Sequence, residues 1–106
     1  MTRKLIYRPD ALADLNEVER YTRRTWDNDQ ARRYVAMLVA DIKKLRSSAL
    51  RHPLYDPINP GLRRKRSGMH HIYFIVSKNT VEVLNVIHAQ RDPGMLLKAG
   101  KWEDEG

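Results

Sequence analysis

Two apolar runs separated by four residues constrain this chain more than any other feature. They are His70-His71-Ile72-Tyr73-Phe74-Ile75-Val76 and Val81-Glu82-Val83-Leu84-Asn85-Val86-Ile87-His88, joined by Ser77-Lys78-Asn79-Thr80. Runs of this length, rich in β-branched and aromatic residues and bounded by turn formers, read as strands. The connection reads as a hairpin, with Asn79 as its residue tolerant of a positive φ. Both faces of both runs are largely apolar, which places the two strands in the middle of a sheet.

Two further segments can flank them. Lys4-Leu5-Ile6-Tyr7-Arg8 reads as a short first strand ended by Pro9, and residues 62–66 as a second, cationic one ending in a Ser67-Gly68 turn. Between them lie two helical patterns. Asp10 is placed to cap a helix over residues 11–25, with Asp14 in its first turn, where the helix dipole favours a carboxylate. Leu12, Leu15, Val18 and Thr22 recur at helical spacing, with Tyr21 and Trp26 close by, and Glu19 and Arg23 form an i,i+4 pair. Asp27-Asn28-Asp29 interrupts the pattern, and Asn28 is read as the cap of the next helix. Ala31, Tyr34, Val35, Leu38, Ile42 and Leu45 give that helix one apolar stripe, which Ala49 and Leu50 extend.

A three-residue break makes the two helices an antiparallel hairpin. Residues 52–61 form a loop containing Pro53, Pro57 and Pro60; residues 93–98 are read as one helical turn and residues 99–106 as a frayed tail. The expected fold is α+β. An N-terminal strand and an antiparallel two-helix hairpin pack on a small, twisted, mainly antiparallel four-stranded sheet, in one domain spanning residues 1–106.

Charge bears on partners. The chain has 20 Lys and Arg against 13 Asp and Glu, a formal net charge of +7. Arg63-Arg64-Lys65-Arg66 concentrates that charge on one strand, where Arg64 and Arg66 share a face with Leu62 while Arg63 and Lys65 take the other. A basic surface of this kind suits an acidic protein, nucleic acid or a nucleic-acid machine. No aromatic residue interleaves the run, so it is not a base-stacking platform. Cysteine is absent, there is no apolar run long enough to span a membrane, and the start carries no signal-peptide pattern. A cytoplasmic location is expected, with no membrane and no small-molecule substrate.

Chemistry is sparse. His70 and His71 are adjacent on a strand and point to opposite faces, so they do not share a metal easily, and no carboxylate stands at a ligand spacing from them. There is no glycine-rich phosphate loop and no nucleophile elbow. No metal and no cofactor are therefore expected. His88 ends a central strand and precedes Arg91 and Asp92. It suits either a general acid or base beside cations, which is ribonuclease chemistry, or a structural imidazole held by Asp92.

Several of these segments together resemble one family. Tyr7-Arg8-Pro9-Asp10-Ala11-Leu12-Ala13-Asp14-Leu15 opens the first helix, which Tyr21-Thr22 and Trp26 close. Gln30-Ala31-Arg32-Arg33-Tyr34 opens the second, Pro60-Gly61-Leu62-Arg63-Arg64 enters the sheet, and Val86-Ile87-His88-Ala89-Gln90-Arg91-Asp92 ends it. In order and spacing the chain is similar to ParE-type toxins of the RelE/ParE type II toxin–antitoxin superfamily. The resemblance implies a toxin neutralised by a ParD-like antitoxin, in a hetero-oligomer, that inhibits DNA gyrase and so replication when free. It implies antitoxin contacts on the two-helix face and the sheet edges, and makes Arg63, Arg64 and Arg66 the candidates for target contact. The rival RelE-like branch comprises ribosome-dependent mRNA endonucleases. By that resemblance His88 stands at a catalytic His position, His71 stands where some members carry a catalytic Arg, Arg91 is a neighbouring cation, and residues 52–66 offer no Glu. A third reading is a basic nucleic-acid-binding module, against which stands the lack of a helix-turn-helix with cationic recognition residues.

Overall fold

The computed structural model describes residues 2–54 and 61–91. Strand β1 (Lys4–Tyr7) leads into helices α1 (Pro9–Thr25) and α2 (Asn28–Ser48), a 3₁₀ turn (Ala49–Arg51), then strands β2 (Leu62–Ser67), β3 (His70–Val76) and β4 (Thr80–His88). The sheet order is β1-β4-β3-β2, so the two apolar strands are central, as their composition requires. β2, β3 and β4 form an antiparallel meander, and β1 joins β4 in parallel, with Lys4 opposite Thr80 and Tyr7 opposite Val83. Residues 93–98 and 99–106, read above as a helical turn and a tail, lie outside the described residues.

The helix starts differ from expectation. α1 begins at Pro9, whose fixed φ and missing N–H suit a first helical position. Arg8 therefore stands at the N-cap, without a side-chain cap bond, and Asp10 is inside the first turn rather than capping it. Asp14 lies beyond that turn and serves the sheet instead, as shown below. α2 is capped by Asp27, not Asn28: the Asp27 carboxylate accepts from the Gln30 N–H at 2.7 Å. The Glu19–Arg23 pair forms, at 3.5 Å.

The helical hairpin covers one face of the sheet. Its core joins Leu15 and Val18 of α1 and Leu38, Ile42 and Leu45 of α2 to Ile72, Phe74, Val81, Val83 and Val86. Ala11 takes the buried place expected of Leu12, which is 49 % exposed. A second cluster, Leu62, Tyr73, Leu84 and Ile87 with Ile75 against it, lies on the opposite face. Strict alternation along β4 cannot give both sets. The register shifts between Tyr73 and Phe74, which face Asn85 and Val83, so Leu84 is the extra residue of a β-bulge. Beyond it the strand is rephased: Val86 joins the helix-side core, and His88, two residues on, takes that face as well.

Turn geometry is also specific. The β3–β4 connection closes with Ser77 N–H donating to Thr80 O at 2.9 Å. No described non-glycine residue has a positive φ, so Asn79 does not use the left-handed region expected of it. The β2–β3 turn falls on Gly68 and Met69, one residue later than read from the sequence. Gly68 sits at φ +56°, and a Cβ there would lie 2.8 Å from both Met37 and the Tyr34 hydroxyl. Gly61 has φ +89° with nothing among the described residues within 4 Å of a Cβ.

These two glycines separate backbone strain from crowding. Gly61→Ala is expected to cost only the strain, about 1–2 kcal/mol. Gly68→Ala adds overpacking against Tyr34 and Met37 and is expected to cost about 2–4 kcal/mol. Urea unfolding of the two variants checks the difference, and equal losses contradict the crowding.

Candidate functional site

α1 and the far end of the sheet diverge past the bulge and leave a groove of about 640 Å³. Val18, Thr22 and Val86 lie at its base; Asp14 and Glu17 of α1 form one wall, and His70, His88, Gln90 and Arg91 the other. Tyr21, Trp26, Tyr34 and Met69 complete the rim. Three of those are large side chains left in solvent: Tyr21 is 60 % exposed, Trp26 47 % and Met69 42 %. Trp26 meets Tyr34 edge-on, with ring centroids 6.4 Å apart.

Each wall is held by polar bonds. β1 ends opposite Val83, and where it stops Asp14 takes over the edge of β4: its Oδ2 accepts from Val86 N–H at 2.9 Å and from the Asn85 amide at 3.0 Å. Burial raises the Asp14 pKa, against the lowering effect of those two bonds. Glu17 is engaged by Arg20 at 2.7 Å and by Arg24 at 3.9 Å.

The opposite wall is tied to α2 through the β2–β3 turn. Ser67 Oγ donates to Asp41 at 2.5 Å, and Met69 N–H donates to the Tyr34 hydroxyl at 2.9 Å. The Tyr34 hydroxyl in turn lies 2.6 Å from His70 Nδ1. Having accepted from Met69, the hydroxyl satisfies its own proton by donating to Nδ1, which leaves the His70 proton on Nε2. Burial, then the neighbouring His88 and Arg66, lower the His70 pKa to about 4, so the ring is neutral near pH 7. His88 packs edge-on against it, with centroids 5.2 Å apart. Gln90 N–H donates to His88 Nδ1 at 3.2 Å. Among the described residues no three His, Cys, Asp or Glu are placed to hold a metal ion.

The structure splits both residue sets singled out by the sequence. Arg64 and Arg66 lie opposite Tyr73 and His71 on the face away from the helices. Arg63 lies opposite the helix-side Phe74, and its guanidinium donates to His52 O at 2.7 Å. That bond, with the isolated Leu54–Arg63 bridge, ties the chain after α2 to the edge of the sheet. His88 and Arg91 line the groove, whereas His71 faces outward, where burial and then Arg64 and Arg66 lower its pKa. Sequence reasoning missed the groove's other members. Asp14 looked like a helix-dipole residue and Tyr34 like part of a core stripe. The signal available was the gathering of Tyr21, Trp26 and Tyr34 around one helix–helix turn.

Fold and groove together define a small basic α+β protein whose open, aromatic-rimmed cleft suits contact with another macromolecule. The comparisons give the family. The ParE toxin of the type II toxin–antitoxin system, parDE, matches as a family over residues 5–93. Toxin ParE1 of Mycobacterium tuberculosis is 28 % identical over 93 residues, covering 87 % of this chain and 95 % of that protein. Toxin ParE of Escherichia coli is 31 % identical over 84 residues, covering 78 % and 82 %. The solved chromosomal ParDE TA system from P. aeruginosa superposes with a TM-score of 0.75 at 19 % identity, over 84 % of this chain and 98 % of that one, and so shares the fold. This chain belongs to the ParE family of type II toxins.

The Tyr34–His70 link makes stability pH-dependent. A His whose pKa is depressed on folding binds its proton more readily when unfolded, so its contribution is full above pH 6.5 and is lost as pH falls from 6.5 towards about 4. Denaturant midpoints across this window are expected to fall more steeply for the native chain than for His70→Gln, and parallel slopes contradict the burial of His70. Tyr34→Phe removes the bonds to Met69 N–H and His70 Nδ1 and is expected to cost about 0.5–1.5 kcal/mol for each at pH 7.

Proposed function

We propose that this toxin acts by binding rather than by catalysis. A ParD-like antitoxin holds it inactive in the cytoplasm, and the freed chain inhibits DNA gyrase through the cationic outer face of β2. The observation that carries this reading is the separation of the candidate groups. His88 and Arg91 line a groove on the helix side, while His71, Arg64 and Arg66 stand on the other face. General acid–base cleavage of a phosphodiester needs its acid, its base and its charge stabiliser to meet at one phosphate. The three residues of the nuclease alternative, His88, His71 and Arg91, do not face one another across this sheet. The antitoxin half of the reading is supported by the family and by the ParDE system that shares the fold.

Of the three Arg candidates, Arg64 and Arg66 are the pair to test, because they share the outer face opposite Tyr73 and His71, whereas Arg63 lies opposite Phe74 on the helix side. Purified antitoxin-free toxin is expected to inhibit gyrase supercoiling and to trap double-strand breaks. Arg64→Ala with Arg66→Ala is expected to remove that inhibition while the unfolding midpoint holds. Full inhibition by the folded double variant removes the outer-face assignment.

One observation favours the second reading, RelE-like mRNA cleavage: His88 and Arg91 share a groove with His70. A ribosome-dependent cleavage assay decides it. Catalysis by His88 predicts a loss of about 10²–10⁴ in rate for His88→Ala. Our reading predicts no cleavage by the native chain.

A further inference from the structure

We propose that the cationic edge of the sheet, formed by β2 and the chain that follows α2, binds the phosphate backbone of duplex DNA. Arg66 makes its contact from the outer face, and Arg63 and Lys65 from the helix side with Arg51 beside them. The inference deepens the gyrase reading above and rests on it for one step, the choice of DNA, because gyrase acts on a DNA duplex. It makes part of the toxin's target the nucleic acid that gyrase holds.

Three observations carry it. First, the positive surplus is concentrated here. Arg20, Arg23, Arg32 and Lys44 each pair with a carboxylate of their own helix, and Arg8 pairs with Glu82. Among the described residues, Arg51, Arg63, Lys65 and Arg66 make no ion pair. Residues 61–80 contain no Asp or Glu. Both faces of the edge feel the crowding. Burial and then Lys65, Arg51 and Arg63 lower the pKa of His52, and burial and then Arg64 and Arg66 lower that of His71. A patch of one sign with no counter-ion of its own attracts a polyion of the other.

Second, two of these guanidinium groups are aimed. Arg66 Nε donates to Gly68 O at 2.6 Å, and Arg63 Nη1 donates to His52 O at 2.7 Å. Each bond uses one of the group's N–H donors and orients the planar fork. Arg66 is exposed, so its remaining donors face solvent. An oriented fork with N–H groups to spare suits phosphate, which it meets with two parallel bonds.

Third, the arrangement selects the occupant. β2 is the last strand of the sheet, and its cations project to both faces: Arg64 and Arg66 opposite Tyr73 and His71, Arg63 and Lys65 opposite Phe74 and Ile72. An acidic protein face meets such an edge from one side. The two phosphate strands that border a groove of a duplex meet it from both. No aromatic residue lies among the four cations, so unstacked bases find no platform, which disfavours a single strand. No recognition helix is needed, since phosphate contacts position a protein without reading sequence.

The test is made without gyrase. Antitoxin-free toxin is titrated into a short labelled DNA duplex and followed by fluorescence anisotropy. Binding is expected with a Kd of about 10⁻⁴–10⁻⁶ M at physiological salt, and four phosphate contacts give a slope of about −3.6 in log affinity against log salt. Lys65→Ala and Arg66→Ala are each expected to weaken binding by about 3- to 10-fold and to reduce that slope by about 1. Arg51→Ala is expected to do the same from an exposed residue outside the sheet, so the test does not depend on how β2 tolerates substitution. Arg32→Ala removes equal charge from an exposed site on α2 and is expected to change affinity less than about 2-fold. Equal losses from Arg32→Ala and from the edge variants reduce the effect to net charge and overturn the site. Tighter binding of single-stranded RNA than of the duplex overturns it as well. Absence of duplex binding by a toxin that still inhibits gyrase overturns the inference and leaves the gyrase reading standing. Duplex binding without gyrase inhibition overturns that reading and leaves the DNA site.

Discussion

Everything in this fold turns on how the edge of β4 is completed. β1 pairs with only its first half, from Thr80 to Val83, because Pro9 stops the strand and starts α1. The second half would present unpaired amides beneath a helix. Asp14 resolves this by accepting from Val86 N–H and the Asn85 side chain. An unmet buried donor costs about 1–3 kcal/mol, so this carboxylate is worth more than its place on an exposed helix suggests. It also sets the rotation of α1, whose buried residues Ala11, Leu15, Val18 and Thr22 then fall against the sheet. The register shift at Leu84 lies beside the same residues. One bulge and one carboxylate together decide which side chains the last turn of the sheet offers to the helix side.

The groove is a consequence of those two features. α1 is anchored to β4 at Asp14, and α2 is anchored to the β2–β3 turn by Asp41–Ser67 and by Tyr34 with Met69 and His70. Neither anchor reaches the space between them, where the helices turn at Trp26 and the strands end at His88. Gly68 lets Tyr34 approach the turn; a side chain there would push the hydroxyl off Met69. The opening is framed by these two anchored elements.

The elements and their order were legible because they rest on periodicity. A period-two pattern apolar on both faces identified β3 and β4 as central, and a 3.6-residue stripe located both helices. Cap positions were less legible, since the caps fall on Arg8 and Asp27, two residues before Asp10 and one before Asn28, and only backbone geometry separates them. The bulge was not legible at all. Leu84-Asn85 breaks no compositional rule, yet it moves His88 from the face implied by alternation with Glu82 to the face of Val86. The candidate site inherits that failure. His88 and His71 look like neighbours within one cationic constellation when read along the chain, and the extra residue puts them on opposite sides of the sheet. Asp14 was hidden for a similar reason, since its partners lie 71 and 72 residues away.

Two surfaces on opposite faces of one sheet have a consequence for regulation. On the proposed reading, the outer face of β2 meets the target, and the helix-side groove lies on the other face. Four strands keep the two apart, with β3 and β4 packed on both faces and therefore stiff. An antitoxin confined to the groove would leave Arg64 and Arg66 uncovered and would neutralise nothing by occlusion. The two faces communicate round the sheet end at Met69 and Ala89, where Ala89 N–H closes onto Met69 O. The turn at Gly68 is the short way round. Arg66 sits beside it, donating to Gly68 O at 2.6 Å, and its charge is felt by His70 on one face and His71 on the other. Arg66 thus stands where the outer face of β2 meets the turn that leads round to the helix side.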